Sequence, residues 1–266
     1  MISDTVRTIT PAVAKVVADF EMFGRDLVTT DDVAMALGTG IENQVRNAIR
    51  TLVERGWLRP LVARGWYEFL PARGGPYPSG DPLIVARAVR RKRPDLRLAV
   101  VGTGAAFLRG FSERGPRRYV VAVDHAQGGS VAVAREYDVV KTTLARLEGI
   151  PEFGDVPVSD AAHLLADVAL WPAACGDLRN GDHWLRRALA AAAPANAVAV
   201  ADRVGPAAAA RMAYLAARFE APAISEAVAG TLRWRARTAI GPADAPVVAR
   251  DPKLGVEDHV GVATLR

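Results

Sequence analysis

A chain of 266 residues, 50% hydrophobic and 24% charged, is long enough for one large domain or two ordinary ones, and its composition is that of a folded protein. No stretch approaches the roughly 20 consecutive apolar residues of a membrane helix. The opening MISDTVRTITPAVAK lacks the basic and then apolar layout of a secretory signal. One cysteine, Cys175, and four scattered histidines exclude an internal disulfide and give no metal-ligand cluster, so the expectation is a cytoplasmic protein with no membrane association, metal or cofactor. The net charge of +5 is uneven. Residues 1–75 hold 9 basic against 9 acidic side chains, residues 76–120 hold 10 against 3, and residues 121–266 hold 15 against 17.

Along the chain, Ile9, Val13, Val16, Val17 and Phe20 fall at the spacing of one helical face, and Gly24 stops that helix. Thr29-Thr30-Asp31-Asp32 announces a second helix, with a threonine cap and carboxylates where the helix dipole favours them. It buries Val33, Ala36 and Leu37 and closes at Gly38. Thr39-Gly40-Ile41-Glu42 then matches a capping box, leading into a third helix with Ile41, Val45, Ala48, Ile49 and Leu52 as its buried stripe. Two β-rich pieces, Trp57–Val62 and Trp66–Leu70, joined by Ala63-Arg64-Gly65, predict a hairpin with Pro60 on an outer edge.

Three short helices and a hairpin are the order of a winged helix-turn-helix, whose third helix enters the DNA major groove. Asn43, Arg46, Asn47 and Arg50 lie at i, i+3, i+4 and i+7 and so share its outer face, with Gln44 to one side. Asparagine, glutamine and arginine are the side chains that pair bidentately with adenine and guanine edges. Arg64, at the hairpin tip, is placed for a phosphate or minor groove. The alternatives are a solvated helix face and a winged helix that serves protein interaction, and the zero net charge of residues 1–75 requires part of the phosphate affinity from elsewhere.

Ala72–Pro82, rich in glycine and proline, predicts an interdomain linker. The helix after it ends in Arg90-Arg91-Lys92-Arg93. Cations suit a helix C-terminus, but four in a row exceed that need and suggest a second phosphate-contacting surface, against a solvated face or an acidic protein partner. Beyond it lies a mixed region. Strands are expected at Leu98–Val101, Tyr119–Val123, Val131–Val133 and Val139–Thr143. Helices are expected at Ala105–Phe111, Asp160–Leu170, His183–Ala192, Pro206–Phe219 and Ala223–Gly230. Thr231–Ile240 alternates as a strand with Arg233, Arg235 and Arg237 on one face, which also suits a charged, solvated edge.

No catalytic constellation stands out. Gly102-Thr103-Gly104 after a strand imitates a dinucleotide fingerprint, but Phe107 occupies the third glycine position. Asp124-His125-Ala126 lacks the second carboxylate that two-metal nucleotidyl transfer needs. Asp177, Asp182 and His183 sit around Asn180-Gly181 in an expected loop, and Cys175 has no activating partner.

Val28-Thr29-Thr30-Asp31-Asp32-Val33-Ala34 through Gly56-Trp57-Leu58, Tyr77–Arg90, Val101–Phe111 with its closing Gly110-Phe111, and Ser159–Val168 together carry a resemblance. In these stretches the chain resembles the AbiEi family of antitoxins from type IV toxin–antitoxin systems. The family commonly has glutamate-arginine where this chain has Ala162-His163. The resemblance implies a repressor that binds operator repeats of its own promoter through the winged helix, helped by basic residues of its second domain. It also implies a protein that opposes a nucleotidyltransferase-like toxin and is not itself an enzyme.

The sequence thus predicts an α+β protein: a winged helix-turn-helix in residues 1–75 and a larger mixed α/β domain, with a small sheet and several helices, in residues 76–266. The expected DNA contacts are Asn43, Gln44, Arg46, Asn47, Arg50, Arg64, Arg90, Arg91, Lys92 and Arg93. Two other classes stay open, a transcription factor whose second domain senses a small molecule and a nucleotide-transferring enzyme built on Asp124.

Overall fold

The computed structural model describes residues 7, 9–127, 131–178, 184–233, 237–242 and 244–262. The chain is an α+β protein of two compact units, Met1–Pro94 and Asp95–Arg266. The first unit runs α1 (Pro11–Met22), β1 (Leu27–Thr29), α2 (Thr30–Leu37), α3 (Glu42–Glu54), β2 (Leu58–Pro60), β3 (Trp66–Phe69) and α4 (Ile84–Lys92). Its sheet has the order β1-β3-β2, all antiparallel, which leaves Pro60 on an edge strand as expected. Strand β1 was not expected. It is three residues long with two successive buried positions, so it shows no alternation; only its pairing with β3 makes it a strand.

Local chemistry fixes α2. The Thr29 hydroxyl accepts from the Asp32 N–H at 3.1 Å while the Asp32 carboxylate accepts from the Thr29 N–H at 2.8 Å, a reciprocal capping box. Gly38 ends the helix at φ 70°, a left-handed conformation that glycine adopts without strain. The second expected capping box fails. The cap of α3 is Ile41, and the Thr39 hydroxyl accepts from the Ile41 N–H at 3.2 Å instead of capping the helix. An isoleucine cap forgoes roughly 0.5–2 kcal/mol relative to serine or asparagine. Ile41 is also not in the buried stripe; it is 58% exposed, because the core beneath α3 ends at Val45.

That core gathers Val13, Val16, Val17 and Phe20 of α1 with Val33, Val45, Leu52, Leu58 and Phe69. Phe20 and Phe69 meet edge to face at 5.5 Å. Two polar clasps then fold residues 70–82 back onto it. The Arg7 guanidinium lies 4.5 Å over the Trp57 ring and donates to the carbonyls of Gly56, Leu70, Pro71 and Gly75. Glu68, fully buried, accepts from Arg59 Nε at 2.5 Å, from the Ser79 N–H at 2.8 Å and from the Ser79 hydroxyl at 2.5 Å. Arg87 of α4 pairs with Asp26 at 2.7 Å and with Asp81. The expected linker is therefore part of the first unit, and the division falls after Pro94 rather than at 75–76.

The second unit runs β4 (Leu98–Val101), α5 (Gly102–Leu108), β5 (Val120–Asp124), α6 (Val131–Glu136), β6 (Asp138–Thr142), α7 (Leu144–Leu147), β7 (Glu152–Phe153), β8 (Val156–Pro157), α8 (Ala161–Leu170), α9 (Trp184–Ala191), α10 (Pro194–Val204), α11 (Pro206–Arg218), α12 (Pro222–Thr231), β9 (Thr238–Ile240), β10 (Ala249–Asp251) and β11 (Val256–Asp258). Strand β5 pairs antiparallel with β4 and parallel with β6. A parallel neighbour needs a crossover, and this explains one correction: residues 131–133, expected as strand, begin the helix α6 that leads into β6. A second correction concerns Thr231–Ile240. Thr231 still belongs to α12, its hydroxyl donating to the Val228 carbonyl at 2.8 Å, and strand β9 starts only at Thr238. Trp234, Arg235 and Ala236 lie outside the described residues, as do Asn180, Gly181, Asp182 and His183.

Helix α8 is the axis of this unit, with every residue from Ala161 to Ala169 buried. Asp160 caps it, accepting from the His163 N–H at 3.0 Å. Its buried Asp167 accepts from the Gly102 N–H at 2.9 Å, where β4 turns into α5. Gly102 sits at φ 63°, and a Cβ there would lie 2.3 Å from the Ala174 carbonyl oxygen, so only glycine allows the turn.

Two predictions follow from these buried carboxylates. Replacing Glu68 by alanine strands Arg59 and Ser79. It should cost about 1–3 kcal/mol and make residues 72–82 sensitive to limited proteolysis, read by chemical denaturation and by mass spectrometry of the digest. Burial pushes the Asp167 carboxyl up to about 7, outweighing the hydrogen bond from Gly102. The unfolded carboxyl loses its proton near pH 4 and the folded one near pH 7, so the native state binds the extra proton between them. Stability should fall as pH rises through that window, by on the order of 2–4 kcal/mol. Asp167→Asn should flatten that slope and melt higher than the parent at pH 8.

Candidate nucleic-acid interface

The outer face of α3 is built by its own periodicity. Val45, Ala48 and Leu52 take the core side, so Asn43, Arg46, Asn47 and Arg50 come out on the opposite side, and all four are exposed, as is Gln44. Two carboxylates flank the arginines one turn away. Arg46 pairs with Glu42 at 2.5 Å and Arg50 lies 4.0 Å from Glu54, with all four side chains largely in solvent. Exposed pairs at i,i+4 are worth only about 0.3–0.5 kcal/mol. They hold the guanidinium groups along the helix without committing them. Gln44 is oriented by the Thr39 hydroxyl, which donates to its Oε1 at 3.0 Å.

The hairpin meets this helix across a cleft. The N–H of Thr30, at the start of α2, donates to the Gly65 carbonyl at 3.1 Å and so anchors the turn between β2 and β3. Arg64 is exposed at that turn. Arg46 and Arg64 both line a cleft of about 430 Å³ whose floor includes Val45, Ile49 and Tyr67, with Asp31 and Glu42 on its rim. The third basic group arrives from α4. Lys92 Nζ donates to the Arg64 carbonyl at 2.9 Å, which sets the end of α4 against the hairpin turn. Arg91 and Arg93 are exposed beside it, while Arg90 is half-buried. The two clusters that sequence separated into different domains therefore share one unit, and that unit holds 14 basic against 10 acidic residues instead of the 9 against 9 of residues 1–75.

Several arginines elsewhere make structural contacts. Arg87 is ion-paired within the first unit. In the second, Arg109 donates to the carbonyls of Pro151 and Val158, and Arg118 to those of Ala134, Arg135 and Tyr137. Burial lowers the Arg109 guanidinium from its usual range. Arg237 pairs with Glu257 at 2.5 Å, so the basic face expected on the last strand is neutralised at that position.

Several candidate chemical groups of the second unit are packed against other parts of the protein. A Cβ on Gly104 would lie 2.6 Å from the Tyr119 ring, so the second glycine of the Gly102-Thr103-Gly104 turn, like the first, is demanded by neighbouring protein. Asp124 is buried and accepts from the Ala126 N–H at 3.2 Å. Cys175 is buried, and burial together with the charge of Asp167 raises its thiol well above the usual range, the opposite of an activated nucleophile. Among the described residues no group of three or more His, Cys, Asp or Glu is placed to hold a metal, and no helix is long and apolar enough to cross a membrane.

No protein-family model matches the chain, and no curated protein sequence does. A crystal structure of the RV2827C protein from Mycobacterium tuberculosis is similar in fold, with a TM-score of 0.77 over 98% of this chain and 95% of that one, at 21% sequence identity. The α+β fold is thus shared along nearly the whole of both chains at low sequence identity.

Lys92 should act here as a strut as well as a cation. Lys92→Ala should speed amide hydrogen exchange around the Arg64–Trp66 turn by several-fold. It should shift global stability by no more than about 1 kcal/mol, the scale of one exposed hydrogen bond.

Proposed function

We propose that this chain is a DNA-binding transcriptional autorepressor and antitoxin of a type IV, AbiEi-like toxin–antitoxin operon, with no enzymatic activity of its own. The first unit is read as a winged helix-turn-helix. Helices α2 and α3 form its two-helix motif, with β2, β3 and the Arg64 turn as the wing. The observation that carries the DNA reading is the convergence of Arg46, Arg64 and Lys92: one cleft joins the recognition helix to the wing, and one hydrogen bond joins the wing to a cationic helix end.

In this reading Asn43, Gln44, Arg46, Asn47 and Arg50 face base edges, where amide and guanidinium groups discriminate between base pairs. Arg64, Arg90, Arg91, Lys92 and Arg93 meet phosphates, which fix register and supply salt-dependent affinity. Asp31 and Glu42 at the rim oppose phosphate and so disfavour indiscriminate binding. The partner is double-stranded DNA bearing repeats in the protein's own promoter. Opposition to a nucleotidyltransferase-like toxin rests on the family resemblance alone, and its direct test is rescue of growth on co-expression with such a toxin.

Gel-shift titrations with the upstream DNA test the interface. Arg46→Ala and Arg50→Ala should each cost about 1–3 kcal/mol at the specific site and relax base preference there. Arg91→Ala should weaken binding to every duplex and reduce the slope of log affinity against log salt by about 1. Parent-like binding by both α3 variants would remove α3 as the reading helix.

A further inference from the structure

Ile41 breaks two local rules at once. It stands at the N-cap of α3, a position that serine, threonine, asparagine or aspartate fills with a hydrogen bond to the first turn. It also leaves its side chain 58% exposed although the helix beside it has an apolar stripe to join. Thr39, a competent cap, is two residues away and is spent instead on holding Ile41 in place. Its hydroxyl accepts from the Ile41 N–H at 3.2 Å and donates to Gln44 Oε1 at 3.0 Å. The Ile41 carbonyl in turn accepts from the N–H groups of Gln44 and Val45 at 2.9 and 3.2 Å. The Thr39 hydroxyl thus holds the Ile41 N–H, and the carbonyl joins the helix ladder as at any cap, while the apolar side chain is presented to solvent.

Resting on the DNA-binding reading above, we propose that Ile41 is a specificity-determining residue that packs against the C5-methyl group of a thymine in the major groove. In a helix-turn-helix the N-terminal end of the recognition helix approaches the base edges most closely. The thymine methyl is the one apolar group displayed there, and it is what an aliphatic side chain can distinguish. Ile41 precedes Asn43 and Gln44, so the methyl contact adjoins the base pairs that those amides face. The thymine contact also accounts for the cap: a serine or asparagine would stabilise α3 and lose the methyl contact.

The test begins with duplexes selected from a random pool by the full-length chain. In the best duplex each thymine is replaced singly by deoxyuridine, which removes only the methyl. The parent protein should lose about fourfold in affinity at one or two positions, the value of one methyl group returned to water. Ile41→Ser should melt a few degrees higher than the parent because its cap is restored, yet bind the thymine duplex more weakly and show no difference between thymine and deoxyuridine. Ile41→Ala should lose the same discrimination. A parent that selects specific duplexes but ignores every methyl, or an Ile41→Ser variant that keeps the discrimination, overturns this inference and leaves the DNA-binding reading standing. A chain that enriches no duplex overturns both.

Discussion

The first unit is organised around one buried charge. Glu68 lies on the central strand of a three-stranded sheet with its carboxylate removed from water, a placement that would be costly alone. Arg59 neutralises it across the hairpin, and the backbone and hydroxyl of Ser79 complete its hydrogen bonding. Because Ser79 belongs to the segment after the hairpin, satisfying the carboxylate also dictates where that segment runs. Arg7 adds a second constraint by collecting the carbonyls of Gly56, Leu70, Pro71 and Gly75. Once residues 70–82 are held, α4 follows with Arg87 on Asp26 and Lys92 on the hairpin turn. A polar requirement inside the sheet thereby positions a cationic helix end some distance along the chain.

Much of this unit was legible because its signals are local. The Thr29–Asp32 capping box, Gly38, and the Val45–Ala48–Leu52 stripe each sit within a few residues of what they specify. The outward row of α3 follows from that stripe by periodicity alone. The legible features stop where a partner is distant in sequence. Strand β1 exists through pairing with β3 some forty residues later, and the Gly- and Pro-rich segment 72–82 carries the composition of a linker although Glu68 and Arg7 make it structural. Thr39 shows a subtler failure. Its pattern with Glu42 fits a capping box, but the hydroxyl is captured by Ile41 and Gln44 before it can reach the helix.

The second unit was less legible for reasons of composition. Helix α10 is rich in alanine and valine, which give it little contrast between faces, whereas α8, buried all round, was marked by its Asp160 cap. Such helices lack the amphipathic pattern that marks a surface helix. The short strands β9, β10 and β11 are three residues each and become a sheet through parallel and antiparallel pairing across the chain end. The glycines of the Gly102-Thr103-Gly104 turn looked like ligand chemistry, and what they accommodate is the Ala174 carbonyl and the Tyr119 ring. A glycine pair after a strand reports close approach of something; the sequence does not say whether that something is a phosphate or the protein.

Where the unit boundary falls changes the electrostatic argument about the first unit. With residues 1–75 taken alone, basic and acidic side chains cancel, and a base-reading helix would depend on cations from another domain to hold the duplex. With the boundary after Pro94, five more basic residues and one more acidic residue join the same unit, and Lys92 is bonded to the residue at the hairpin tip. On the proposed DNA-binding reading, affinity and discrimination would then reside within one unit, and phosphate contacts would fix the register in which Asn43, Arg46, Asn47 and Arg50 meet base edges. The modest excess of charge suits that division of labour. On the same reading, a strongly basic unit would bind any duplex, whereas one whose arginines lie beside Glu42 and Glu54 would gain most where the base edges reward their displacement.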